Sequence, residues 1–199
     1  MGNIQGIPRG AAIAIDDMLD NCAQIKAGQE VLILAQIDGL CGGINLVDEQ
    51  AIAWIQAAVQ HRGANASVLW IDEPANLHAW RIPPVVKAAL KGCDVLINHS
   101  FDLIVEEISE FRSLITELGF IMVRNFATTA PLLCTEWAQT PHELVSEIRY
   151  QASVPFKEGL QWELNDENGS LLKGVIGPSS SPLFPAYTTR RHEVGGYRP

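Results

Sequence analysis

The sequence predicts an α/β protein built on a mainly parallel sheet, with the start of a second, α+β subdomain after it. Two observations carry the first part of that statement and one carries the second. An amphipathic segment that ends at a glycine and leads into a β-rich apolar run occurs in "IKAGQEVLILAQ", "QHRGANASVLWID", "ALKGCDVLINHS" and "TELGFIMVRNF". Each apolar run is continuous rather than alternating, as in strands covered on both faces. Later the cadence stops. Leu160, Trp162 and Leu164 alternate with polar residues ahead of Asn168-Gly169, a strong hairpin signal.

The elements follow in order. Ile13, Met18, Cys22 and Ile25 trace part of one expected helix face, and Ile52, Ile55 and Val59 trace a second after a cap at Asp48. Pro83 and Pro84 suit the first turn of a short third helix, "PPVVKAALKG". Ile108, Phe111, Ile115 and Leu118 mark a fourth at spacings of three and four. Gly28, Gly63, Gly92 and Gly119 stand where a chain leaving a helix favours a left-handed residue. Helices alternating with buried strands imply right-handed crossovers and a Rossmann-like three-layer domain over residues 1–126.

Residues 127–177 read as a helix plus a β-hairpin leading to a second subdomain, the helix capped at Thr140 with Pro141 at its first position and Glu143 at its third. Leu171 begins the return strand. Residues 178–199 are rich in Pro, Ser and Gly and read as a tail or a truncated domain start.

Composition narrows the partners. The 199 residues are 47% hydrophobic and 19% charged, with a formal net charge of -9. No cluster of Lys or Arg exists to neutralise phosphates, so nucleic acid is not expected as a partner, nor is an anionic membrane surface. Cys22, Cys41, Cys93 and Cys134 are scattered without a C-x-x-C pair, which predicts mostly buried thiols in a reducing compartment rather than a zinc site. The N-terminus carries no long apolar stretch, and a cytoplasmic location is expected.

The stretch "VLILAQIDGLCGGIN" invites a nucleotide reading. Its glycines, Gly39, Gly42 and Gly43, do not match G-x-G-x-x-G, and no Gly-Lys-Ser/Thr ending follows. Asp38 would meet an incoming phosphate with like charge. The glycines are therefore expected to serve the tight strand-to-helix turn.

Polar residues gather after the expected strands: Asp38 and Gly39 after the first, Asp72 and Glu73 after the second, Asn98 and His99 after the third, Arg124 and Asn125 after the fourth. Ligands in open parallel sheets bind outside the carboxyl ends of the strands. Asp38, Gly39, Asp72, Asn98, His99 and Arg124 are therefore the candidate ligand-binding residues, against the background that loops are polar in any case. His78, His99 and Asp72 come from separate loops without H-E-x-x-H spacing, so no metal ligand is assigned. No Ser lies in a nucleophile elbow, and Cys41 has no evident base, so no catalytic residue is assigned either. Cys134, after Leu133, reads as core.

The segments "AGQEVLIL", "HRGANASVLWID" and "LKGCDVLINH", with the passage "WELNDENGSLLKGVIG", carry a resemblance. The chain is similar to the N-terminal domain of the aminopeptidase T-type metallopeptidases, a family that includes 2,5-dihydroxypyridine 5,6-dioxygenase-like enzymes. That family's usual Asn/Pro-Gly turn and Thr-Asp-Leu is matched by Gly169 and Leu172, while Ser170 replaces Thr and Leu171 stands in place of Asp. The resemblance implies a divalent-metal enzyme, with iron or zinc, whose metal ligands lie in a C-terminal domain. No residue here matches one, so the chain alone is expected to hold no metal and to be inactive. It also implies a small-molecule or peptide substrate and a homo-oligomer. The alternative is a complete non-catalytic module that binds a small ligand or assembles with other subunits.

Overall fold

The computed structural model describes residues 6–36, 47–72, 82–99, 108–125, 128–153, 155 and 157–177. These form two compact units, the first running to His142 and the second beginning at Glu143.

The first unit opens with helix α1 (Arg9–Asp17), which continues without a break into a π-helical turn, Met18–Cys22. There follow β1 (Glu30–Gln36), α2 (Glu49–His61), β2 (Asn65–Ile71), α3 (Pro84–Leu90), β3 (Val95–His99), α4 (Ile108–Leu118), β4 (Ile121–Arg124) and the one-turn α5 (Ala130–Leu133). The strands form a four-stranded sheet in the order β2-β1-β3-β4, every pair parallel. This is the expected three-layer α/β architecture.

Alternation along the strands divides the core in two. Val31, Ile33 and Ala35 of β1 pack with Ile97, Val123 and the apolar faces of α1 and α2. Leu32 and Leu34 turn the other way, to Leu96, Met122, Val86 and Leu90 of α3, and Ile115 of α4. Buried on both faces, the central strands need no polar alternation, which is why β1 and β3 read as unbroken apolar runs. β2 differs from that expectation. It is the edge strand, only Ile71 in it is buried, and Asn65 and Ser67 face solvent.

Local chemistry sets the helix ends. Asp48 caps α2, its Oδ1 accepting from the Ala51 amide at 2.6 Å. Pro83 and Pro84 open α3 as the sequence predicts. Gly28, Gly63 and Gly119 adopt φ of 83°, 78° and 74°. Gly92 does not, because a tighter turn, with Gly92 N–H donating to Ala89 O, already ends α3.

The first helix corrects its expected face. Ile13 is 41% exposed, while Ala11, Ala14, Ile15 and Met18 are buried. The buried set runs at i, i+3, i+4 and i+7 up to Met18, after which the wider π turn brings Leu19 inward and leaves Cys22 half-buried. Arg62, at the end of α2, holds this segment: its guanidinium meets Asp16 at 2.6 Å and Asp20 at 2.9 Å, and also donates to the Ala58 carbonyl.

The cysteines also differ from expectation. Cys22 and Cys93 are half-buried and Cys134 is exposed, because α5 ends at Leu133 and its buried face is Ala130 and Leu133. Burial pushes the Cys93 thiol up to about 12, with Asp94 adding to the effect, so it is inert near neutrality. Cys41 lies outside the described residues.

The second unit contains helix α6 (His142–Ser153), whose first residue belongs to the first unit, and the antiparallel hairpin β5 (Gln161–Asn165) and β6 (Leu171–Val175). The Thr140 hydroxyl donates back to Glu136 O at 3.2 Å, and Asp17 Oδ2 accepts from the His142 amide at 2.9 Å. The hairpin turns at Gly169 (φ 85°), with Asp166 Oδ1 accepting from the amides of Asn168 and Ser170. Trp162 lies over Gly174, its cross-strand partner.

Candidate functional site

A strand order of 2-1-3-4 means that the chain steps from β1 outward to β2, then crosses back over β1 to β3. The direction of winding reverses between β1 and β3. Crossover helices therefore leave opposite faces of the sheet at this point, and it is at the carboxyl ends of two such strands that open parallel sheets bind their ligands.

Asn98 and His99 close β3 here and are 0% and 1% exposed, and Gln36 at the end of β1 is 5% exposed. Asn125 follows β4 and is 2% exposed. Buried polar groups of this kind must be held by hydrogen bonds. The His99 Nδ1 lies 2.8 Å from Thr128 Oγ1 and 3.1 Å from the Asn125 carbonyl oxygen. A carbonyl only accepts, so Nδ1 carries the ring proton and shares it between the two oxygens. Nε2 is then a bare lone pair. It is buried and has no hydrogen-bond partner among the described residues. Burial holds the imidazolium pKa down, to about 4, against a smaller opposing effect of the Asn125 carbonyl. The ring is neutral at pH 7.

Asn125 shares this environment. Its amide donates 3.6 Å to Met18 Sδ, and its Oδ1 is buried without a partner among the described residues. Met18 is the first residue of the π turn, so that turn places a soft thioether beside the amide. Ala35, directly across from His99 in the β1–β3 register, adds only a methyl group on the same face.

The floor beneath the pair is tied by Asp48. Val47 and Thr128 form an isolated parallel bridge, and the Asp48 amide donates to Thr128 O at 3.2 Å. Asp48 Oδ1 caps α2, while its Oδ2 accepts from the Ala130 amide at 2.7 Å, the start of α5. One carboxylate thus anchors two helix N-termini and the residue that holds His99.

Of the residues singled out from sequence, Asn98 and His99 lie in this buried edge. Asp72 follows the outer strand β2 and is exposed, one strand away from the end of β1. Arg124 ends β4, opposite Asn98 in register, and its side chain lies outside the described residues. Asp38, Gly39, Glu73 and His78 also lie outside them. Thr128 is absent from the sequence reading, and Met18 figures there only as a helix-face residue. Nothing local marks them, since both join the site through contacts far along the chain. Among the described residues no three His, Cys, Asp or Glu side chains come together, and His99 Nδ1 is already engaged, so these residues do not fit a metal ion. No described helix is long and apolar enough to cross a membrane.

No family model matches the chain, and no curated protein matches it in sequence. Among solved structures it is similar to 2,5-dihydroxypyridine dioxygenase from Pseudomonas putida KT2440, at 12% identity and a TM-score of 0.50. The match covers 85% of this chain and 48% of that one, so the chain spans about half the length of the dioxygenase. At this identity the likeness is one of fold.

Proposed function

We propose that this chain is the α/β part of a metal-dependent enzyme related to the dihydroxypyridine ring-cleaving dioxygenases, and that its β1/β3 edge faces a small-molecule substrate. The observation that carries this reading is the buried polar cluster of Asn98, His99 and Asn125 at the strand-order reversal. A sheet edge held only for packing would bury apolar groups there, because each polar group costs desolvation energy. The fold likeness to a dioxygenase supports the same direction. The iron or zinc of such an enzyme belongs, on the resemblance, to residues of another domain. The peptidase branch of the family is the finer alternative for the substrate, with a peptide in place of a ring.

The purified chain tests this. Saturable binding of 2,5-dihydroxypyridine that perturbs the amides of Gln36, Asn98 and His99, without turnover in added Fe(II) or Zn(II), is the expected result. Stoichiometric metal binding with turnover by this chain alone would overturn the division of labour.

The second unit supports a different reading, a non-catalytic assembly module that forms homo-oligomers. Trp162, Leu164 and Leu172 share one face of the hairpin and are 37%, 57% and 56% exposed. Sedimentation of the wild-type chain beside Leu164→Lys distinguishes it: an assembly module loses its higher species in the variant.

A further inference from the structure

The two edges of the parallel sheet are built differently. β4 is four residues long and ends in Arg124, a short, charged edge that resists further strand pairing. β2 is seven residues long and contains no charged residue, no proline and no glycine. Its register with β1 runs through all seven without a bulge. Among the described residues no strand pairs with its outer side. β2 therefore lacks the features that normally keep an open edge from pairing with another chain.

The ladder fixes which backbone groups point outward. The Asn65 amide donates to Gln29 O at 2.8 Å, so Asn65 turns its backbone toward β1. In a parallel pair this alternates, so Ser67, Leu69 and Ile71 do the same, while Ala66, Val68 and Trp70 turn theirs away. The Gln56 side chain agrees with that parity, since its amide reaches the Ala66 carbonyl at 3.1 Å from outside the ladder. Val68 and Trp70 each keep an outward N–H and C=O with no partner among the described residues. Both residues are half-buried on the α1/α2 side of the sheet, and Leu69 between them is half-buried on the other side.

This edge is complementary to itself. With a second copy antiparallel about a two-fold axis at Leu69, Val68 meets Trp70 of the second copy and Trp70 meets its Val68. Each pair exchanges two N–H···O bonds. The register keeps the Gln56–Ala66 bond and sets the two Leu69 side chains against each other across the axis. Charge also fits. Each copy carries a net -9, so contact has to be made by uncharged surface, which β2 supplies. Asp72, the first charged residue beyond the strand, would stand about 20 Å from its counterpart at about 3.4 Å per residue, well past the screening length of about 8 Å.

We propose that β2 is a dimerisation edge, through which two copies of this chain join their four-stranded sheets, antiparallel, by Val68 and Trp70. The proposal stands on the strand itself. It depends neither on the small-molecule reading nor on the apolar face of the hairpin.

The test is sedimentation velocity of the whole chain across a concentration series, with amide hydrogen exchange as a second readout. The expected result is a monomer–dimer equilibrium in which exchange at Val68 and Trp70 slows as the dimer fills, while Ser67 and Leu69 are protected at every concentration. Val68→Pro removes an outward N–H and no bond to β1, a change that edge strands tolerate. It should be monomeric with an unchanged circular dichroism spectrum. Leu69→Lys sets two ammonium groups opposite each other and should also be monomeric, and mixing it with Leu69→Glu should restore the dimer. That mixture decides the matter if Val68→Pro fails to fold. A wild-type chain that stays monomeric throughout would overturn the proposal. So would a dimer that survives both Val68→Pro and Leu69→Lys, or one that forms without slowing exchange at Val68 and Trp70. A dimer lost in Leu164→Lys but kept in Val68→Pro would assign assembly to the hairpin instead.

Discussion

His99 and Thr128 meet at 2.8 Å, imidazole Nδ1 to hydroxyl Oγ1, joining the end of β3 to the segment that leads into α5. This contact, with the Asn125 carbonyl, decides which nitrogen of the ring carries the proton. Removing the hydroxyl should leave Nδ1 with the carbonyl alone. Thr128→Val is expected to lower stability by about 1 kcal/mol, seen as a lower urea midpoint at unchanged slope.

The buried imidazole also predicts acid sensitivity. Its pKa is held at about 4 in the folded chain, below the ordinary value of 6.5. The unfolded state therefore binds more protons between these values. The contribution is fully present above pH 6.5 and is lost as pH falls through about 4, amounting to on the order of 3 kcal/mol. Urea titrations at pH 7 and pH 5 should show the loss. His99→Gln, which has no charge to gain, should show a smaller difference between the two, and an equal difference would refute His99 as its source.

Asp48 holds two helix starts with one carboxylate. Asp48→Ala should cost about 2 kcal/mol, since one lost cap costs roughly 1 kcal/mol and here two go together. Asp48→Asn keeps a single acceptor oxygen and should fall between. Amide hydrogen exchange at Ala51 and Ala130 separates the two ends: both should accelerate in the alanine variant.

The hairpin turn depends on Asp166. Hydrogen bonds from Ser170 first, then from Asn168 and Gly169, hold its carboxyl below the usual carboxylate range. A depressed folded pKa stabilises the turn above the unfolded value and withdraws that support as pH falls through the folded one. Acid should broaden the β5–β6 amide signals in NMR, and Asp166→Asn should remove most of that pH response.

Gly174 is fitted to an aromatic ring. A Cβ built there would stand 2.5 Å from Trp162 Cζ2. Gly174→Val should displace the indole, reported by the Trp162 Nε1–H resonance, and should leave the sheet of the first unit intact by circular dichroism.

Much of the scaffold was legible because local rules act within a few residues. The runs ending at Gln36 and His99, the Asp48 cap, the Pro83-Pro84 helix start and the Gly169 turn each depend on neighbours in sequence. The misreadings came where a distant element intervened. Ile13 faces solvent because the buried stripe of α1 is set by the sheet beneath it. The amide of His142 finds its acceptor in Asp17, across 125 positions of sequence, where no local rule reaches. β2 reads like a central strand, and only its place at the sheet edge explains its exposure.

The sequence by itself determined the alternating α/β order, the parallel sheet and the later hairpin, because periodicity and turn chemistry are encoded at short range. Tertiary structure alone decided the strand order 2-1-3-4, and with it which polar residues come together at one end of the sheet. His99, Asn125, Thr128 and Met18 become one environment only when β3, β4 and the π turn are packed together. The protonation of that imidazole follows from the packing, since desolvation and hydrogen-bond direction are properties of the enclosing atoms rather than of the residue's name.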